Sequence, residues 1–278
     1  MSLTNRQAAP PGTSPGASAL SGDRLGAPGE HQEAVRLTDV SKFYGPVGRG
    51  VQALDKVSLT VADGEFVCLI GASGCGKSTL LSLVAGLDSP TSGQVSTAGR
   101  RVSLMFQEPA LFPWLTAARN VELALRARGV PKAGRRARTR ELLEAVRLNG
   151  FGDKRPHELS GGMRQRVAMA RALAQDADIL LMDEPFGALD AMTRDLLHDE
   201  LERICAERTL TVLFVTHNVR EAARLGDRVI VLSSRPGRVI DEYSLPRLGQ
   251  RRIDSPEVSE VAARLTDRLR EEMGRHGH

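Results

Sequence analysis

The sequence predicts an α/β fold with a buried sheet core, an antiparallel β edge and a helical segment inserted between the two halves of the core. Two continuous apolar runs, at residues 66–70 and 179–182, are the mark of strands buried on both faces. Residues 35–40 and 57–61 alternate as half-buried strands do. From about residue 109 to 175 the periodicity turns helical, and a β-rich pattern then resumes.

The elements follow in order. Residues 1–34 are rich in Pro, Gly, Ala and Ser without a hydrophobic period, and they read as a disordered leader that cannot bury enough surface to offset chain entropy. After the first alternating strands, Asp63 and Gly64 signal a turn. The buried run 66–70 leads into a glycine-rich loop and then an apolar stretch, 80–85, giving strand, loop, helix. Within the helical segment, residues 141–148 are amphipathic, and Met163, Val167, Ala170 and Ala174 share one helical face. Residues 179–182 and 212–215 read as buried strands, and 228–232 and 238–240 as edge strands. Residues 256–273 read as one amphipathic helix. The expected organisation is a leader (1–34), one domain (35–250, helical part about 109–175) and a C-terminal helical extension (251–278).

Bulk properties narrow the class. Of 278 residues, 41% are hydrophobic, enough for a sizeable core, yet no apolar stretch is long enough to cross a bilayer. No apolar segment sits behind a basic start, so no secretory signal is read and a cytosolic chain is expected. A net charge of +4, not gathered into one aromatic-laced tract, argues against nucleic acid as a partner. The densest basic stretch, with Arg135, Arg136, Arg138 and Arg140, reads as a solvated helix face. Cys68, Cys75 and Cys205 are odd in number and widely spaced, which supports neither a disulfide framework nor a zinc site.

The chemistry concentrates in three segments. Gly71, Ala72, Ser73, Gly74, Cys75, Gly76, Lys77 and Ser78, followed by Thr79, match the P-loop pattern between a buried strand and a helix. Glycines there turn backbone N–H groups onto phosphate oxygens, Lys77 reaches the β- and γ-phosphates, and Ser78 offers a hydroxyl to Mg²⁺. A helix N-terminus also lowers the pKa of a nearby thiol, so Cys75 is expected to be reactive. The run 179–182 ends in Asp183, the expected Mg²⁺ partner, and Glu184, placed to act as general base on the attacking water. Ser160, Gly161 and Gly162 open a helix whose free N–H groups suit an anion.

Residues 159–172 closely resemble the signature sequence of ABC ATPases, and further family marks occur in order. Gln107 resembles the Q-loop glutamine, Gly187 to Asp190 the D-loop, His217 the switch histidine, and Tyr44 the aromatic that stacks on adenine. The resemblance spans roughly residues 35–250 and implies a P-loop ATPase core of the ABC nucleotide-binding type. It further implies a head-to-tail homodimer sandwiching two ATP molecules. Each ATP would meet Lys77, Ser78, Gln107, Asp183, Glu184 and His217 of one chain and Ser160 and Gly162 of the other, with Mg²⁺ held by Ser78, Gln107 and Asp183.

One cassette without membrane spans resembles the separate ATPase subunit of an importer, peripheral on the cytoplasmic face. Its partners would be integral-membrane permease subunits and, indirectly, an extracytoplasmic solute-binding protein. Residues 106–114 and 232–239 resemble the nitrate, sulfonate, taurine and bicarbonate import group, with aliphatic sulfonate the first choice. An exporter or lipid-transport subunit would share the core motifs. Trp114, the single tryptophan, is either a core residue or a permease contact.

Overall fold

The computed structural model describes residues 32–46, 49–187, 189–245 and 251–275. Almost all of the expected leader lies outside the described residues, as do Ala188 of the D-loop segment, the domain boundary expected at 250, and residues 276–278.

Two sheets form the scaffold. Strands β1 (Glu33–Tyr44), β2 (Val51–Ala62) and β4 (Ser92–Ser96) make an antiparallel sheet in the order β2-β1-β4. The second sheet runs β5-β6-β7-β3-β8-β9, built from β5 (Val102–Met105), β6 (Ile179–Asp183), β7 (Thr211–Val215), β3 (Phe66–Ile70), β8 (Arg228–Leu232) and β9 (Val239–Ser244). Its first five strands are parallel, and β9 joins antiparallel.

The continuous apolar runs have a direct cause. Phe66, Cys68 and Ile70 of β3 point into one core, with Val212, Phe214 and the helices. Val67 and Leu69 point into the other, beneath the antiparallel sheet with Leu37, Leu54 and Leu80. A strand covered on both faces has no polar side to show.

Among the described residues seven α-helices complete the fold: α1 (Lys77–Val84), α2 (Ala117–Ala127), α3 (Lys132–Ala145), α4 (Gly161–Leu173), α5 (Ala191–Arg208), α6 (Val219–Leu225) and α7 (Pro256–Arg275). Met163, Val167, Ala170 and Ala174 pack in or against the helical core as their spacing predicts. Two readings change. Strand β8 is interior, paired with β3 and with β9, so of the two strands expected at an edge β9 alone is there. Helix α3 ends at Ala145 rather than running through 148, because Arg147 adopts a left-handed φ of 56° that no α-helix continues through.

The parallel sheet decides where chemistry occurs. Strands β3, β6, β7 and β5 all end at one edge, so the segments that follow them converge there.

Candidate active site

The loop between β3 and α1 follows from local sterics. Gly74 and Gly76 have φ of 75° and 103°, a region open to glycine at no steric cost. A β-carbon on Gly76 would also sit 2.7 Å from the Ala53 carbonyl oxygen. Helix α1 then begins at Lys77 with no side-chain cap, so its first N–H groups are left to face an anion. Lys77 is buried, its Nζ held 2.8 Å and 2.9 Å from the carbonyl oxygens of Gly71 and Ala72.

Strand β6 delivers the carboxylates. Asp183 is 9% exposed; burial raises its pKa from the ordinary aspartate value, and a hydrogen bond from the Ser78 hydroxyl opposes the rise. Glu184 departs from the strand at φ 44°, a strained conformation for a side chain of its size. Its Oε2 lies 3.1 Å from His217 Nδ1 and 3.4 Å from Gln107 Nε2. Residues from the ends of β5, β6 and β7 thus meet at one carboxylate oxygen.

A cavity of about 490 Å³ joins these groups, bordered by Tyr44, Gly71, Ser73, Gly74, Gly76, Lys77, Ser78, Thr79, Gln107, Glu184 and His217. Tyr44 is half exposed at its mouth, its hydroxyl donating to Asp88 Oδ2 at 3.1 Å. Ala72, Cys75 and Asp183 do not border it. Cys75 is 1% exposed, and a β-carbon on Gly71 would lie 2.9 Å from its Sγ. The thiol expected to be reactive is packed behind the loop, where a reagent cannot reach it without the loop opening. Burial raises the pKa of the Cys68 and Cys205 thiols, Cys205 to about 12.

The signature segment stands apart from this cavity. Ser160 caps α4, its Oγ accepting from Met163 N at 3.2 Å. Gly161 borders a neighbouring cavity of about 540 Å³ with Arg164, Gln165, Glu184 and His217. Helix α4 fixes the segment after β5: Gln165 Nε2 donates to the Gln107 carbonyl, and Arg171 donates to the carbonyls of Pro109 and Ala110 at 2.8 Å and 2.7 Å. Asp190 is exposed and caps α5, accepting from Thr193 N at 2.9 Å, a bond that lowers its pKa. Within one chain, then, Ser160, Gly161, Gly162 and Asp190 do not border the phosphate-loop cavity.

Three cavity residues were not read from the sequence: Val51 and Ala53 of β2, and Arg235. Arg235, in the hairpin between β8 and β9, borders the cavity beside Gly74. The signal was present in residues 232–239, which served only as a mark of resemblance. Trp114 is 68% exposed, so it is not a core residue.

Comparison with known proteins accords with this geometry. The model of the ABC transporter family matches residues 54–187. An uncharacterized ABC transporter ATP-binding protein of Methanocaldococcus jannaschii is 42% identical over 246 residues, 86% of this chain and 92% of that protein. A taurine import ATP-binding protein of Burkholderia pseudomallei is 47% identical over 74% of this chain and 82% of its own length. Nitrate and aliphatic sulfonates import ATP-binding proteins, from Synechocystis and Bacillus cereus, are 44% and 43% identical, each over 76% of this chain and over 82% and 87% of their own lengths. Among solved structures, a dimeric post-hydrolysis ATP-binding cassette bound to ADP and Pi superposes with a TM-score of 0.71 at 37% identity, covering 76% of this chain and 99% of that one. A relative matched over nine-tenths of its length, and a phosphate loop facing a strained carboxylate across one cavity, lead to one conclusion: the chain belongs to the ATP-binding family of ABC transporters and is an ATPase.

Proposed function

We propose that this ATPase powers an importer of small anions, with an organic sulfonate as cargo. The observation that carries the energy-coupling reading is the junction at Glu184 Oε2, where Gln107 and His217 converge beside the phosphate loop. In this reading Glu184 accepts a proton from the attacking water, a role worth about 10²–10⁴ in rate. His217 holds the carboxylate, and Lys77 and the α1 N-terminus meet the phosphates. Ser78, Gln107 and Asp183 offer the oxygen donors Mg²⁺ requires, and a buried carboxylate beside the Ser78 hydroxyl fits such an ion. Magnesium bound there would neutralise phosphate charge.

Ser160, Gly161 and Gly162 of one chain do not border its own phosphate-loop cavity, which supports a homodimer in which each chain completes the other's site. The membrane partner is a permease. A groove of about 1040 Å³ bordered by exposed Trp114, Arg119, Arg136 and Arg140 offers it a surface. No helix of the described residues is long and apolar enough to cross a membrane, so the membrane step falls to that partner. The protein would thus act peripherally at the cytoplasmic face, with an extracytoplasmic solute-binding protein delivering cargo.

The names of the relatives support taurine, nitrate or sulfonate as cargo. Taurine is itself a sulfonate, and an aliphatic sulfonate is our first choice. Deleting the gene should abolish growth on alkanesulfonates or taurine as sole sulfur source while leaving growth on sulfate normal. Equal growth on all of these, with impaired growth on nitrate as sole nitrogen source, would move the assignment to nitrate.

A further inference from the structure

We propose that Arg235 is a nucleotide-contacting residue, a second cation that meets the phosphates at the outer rim of the cavity while Lys77 meets them inside. Arg235 is exposed, yet its guanidinium is placed: Nε donates to the Gly74 carbonyl at 3.3 Å, and a β-carbon on Gly74 would lie 3.2 Å from Nη2. Gly74 belongs to the phosphate loop, and Arg235 borders the same cavity as Lys77, Ser78 and Glu184. The second Nη group carries donors in a planar fork suited to phosphate oxygens.

The hairpin that presents Arg235 is held on several sides. Ser233 Oγ bonds the Pro236 carbonyl at 2.8 Å, and Gly237 N donates to the Ala53 carbonyl at 2.9 Å. Asp55 N donates back to the Gly237 carbonyl at 3.0 Å, and Arg238 Nε reaches Asp55 Oδ2 at 2.8 Å. A β-carbon on Gly237 would come 2.2 Å from the Cys75 carbonyl oxygen, so the hairpin lies flat against the phosphate loop. From the far side, buried Glu272 of α7 accepts from Ser234 N at 3.2 Å. The C-terminal helix therefore fixes the peptide next to Arg235. Such anchoring from three elements would be wasted on a side chain meant only for solvent. A cation at the rim is attractive to a polyanion and screened by salt.

This proposal rests on the cavity being the nucleotide site, and the test separates the two. ADP affinity of the full chain is measured by titration calorimetry at low and high salt for the wild type, Lys77→Ala, Arg235→Lys and Arg235→Gln. Arg235→Gln keeps a donor for the Gly74 carbonyl but loses the charge; Arg235→Lys keeps the charge. The expected result is a roughly fivefold loss for Gln, the usual scale of one partly exposed charge pair. Lys should lie between Gln and wild type, and the Gln deficit should shrink as salt rises. Gln within twofold of wild type, Lys no better than Gln, or a deficit indifferent to salt would each overturn the role of Arg235 alone. Unchanged ADP affinity in Lys77→Ala would overturn the cavity assignment, and the rim contact with it.

Discussion

His198, on α5, has no exposed surface and lies edge-on to the ring of Phe186, two residues after Glu184, at 4.8 Å. Its Nδ1 is 3.4 Å from Arg224, and Glu221 and Asp195 lie 3.8 Å and 3.9 Å away. Burial first, then the guanidinium groups of Arg224 and Arg194, hold its pKa near 3 against an ordinary 6.5. The folded protein thus keeps His198 neutral where the unfolded chain binds a proton. Between pH 6.5 and about 3 the unfolded state holds more protons, so this contribution to stability is intact above 6.5 and is lost as pH falls. Urea unfolding should show the wild type losing about 1.4 kcal/mol more than His198→Gln on going from roughly pH 7.5 to 5.5. Equal losses in the two proteins would mean that His198 titrates normally in the fold.

At the scale of elements, α2 and α4 fix the loop that follows β5. Asn120 of α2 is fully buried and is bonded to Phe112 twice, to its N–H at 2.9 Å and its carbonyl at 3.3 Å, and to the carbonyls of Leu115 and Thr116 at 3.3 Å and 3.0 Å. It thereby holds the loop that presents Trp114. Asn120→Ala takes their side-chain partner from the Phe112 N–H and the Leu115 carbonyl, while the Phe112 and Thr116 carbonyls keep backbone donors, so it should cost about 1–3 kcal/mol of stability. Because Trp114 is the single tryptophan, its fluorescence anisotropy should fall in the same variant. Unchanged stability and anisotropy would show that the loop is held by other contacts.

Neither this clamp nor several elements were legible in the sequence. Strands β3, β6 and β7 were, because double-sided burial leaves an unbroken apolar run. Strand β4 was not: it is mostly exposed and reads Ser-Gly-Gln-Val-Ser, held by pairing to β1 and not by burial. Helix α5 escaped because its charged residues leave only Leu197, His198, Leu201 and Ile204 buried along 18 residues. The edge assignment of β8 failed because sequence shows burial but not which strand lies alongside. In the site, the phosphate-loop pattern and the strand ending in carboxylates pointed to Lys77 and Glu184, and the family resemblance to Gln107 and His217; the fold brings all four to one cavity. Motif spacing could not reveal the burial of Cys75 or the approach of Arg235, which depend on a hairpin 160 residues away folding against the loop.

For the whole molecule, the separation of the signature segment from the phosphate loop is the consequential feature. Ser160 and Gly162 open α4, apart from the cavity that holds Lys77 and Glu184. In the proposed function a second chain completes the site, and ATP is the ligand that would draw the two together. Binding then favours the closed state, and hydrolysis releases it, which is the two-state cycle a membrane partner can follow. Substituting Glu184 by Gln preserves shape and hydrogen bonding to His217 and Gln107 while removing the proton acceptor. The most direct measurement is light scattering of Glu184→Gln on a sizing column with MgATP, alongside its rate of ATP hydrolysis. Turnover should fall about 10²–10⁴-fold, and the protein should elute at twice its 30.0 kDa chain mass with ATP bound. Near-normal turnover, or a monomer that retains ATP, would contradict the account.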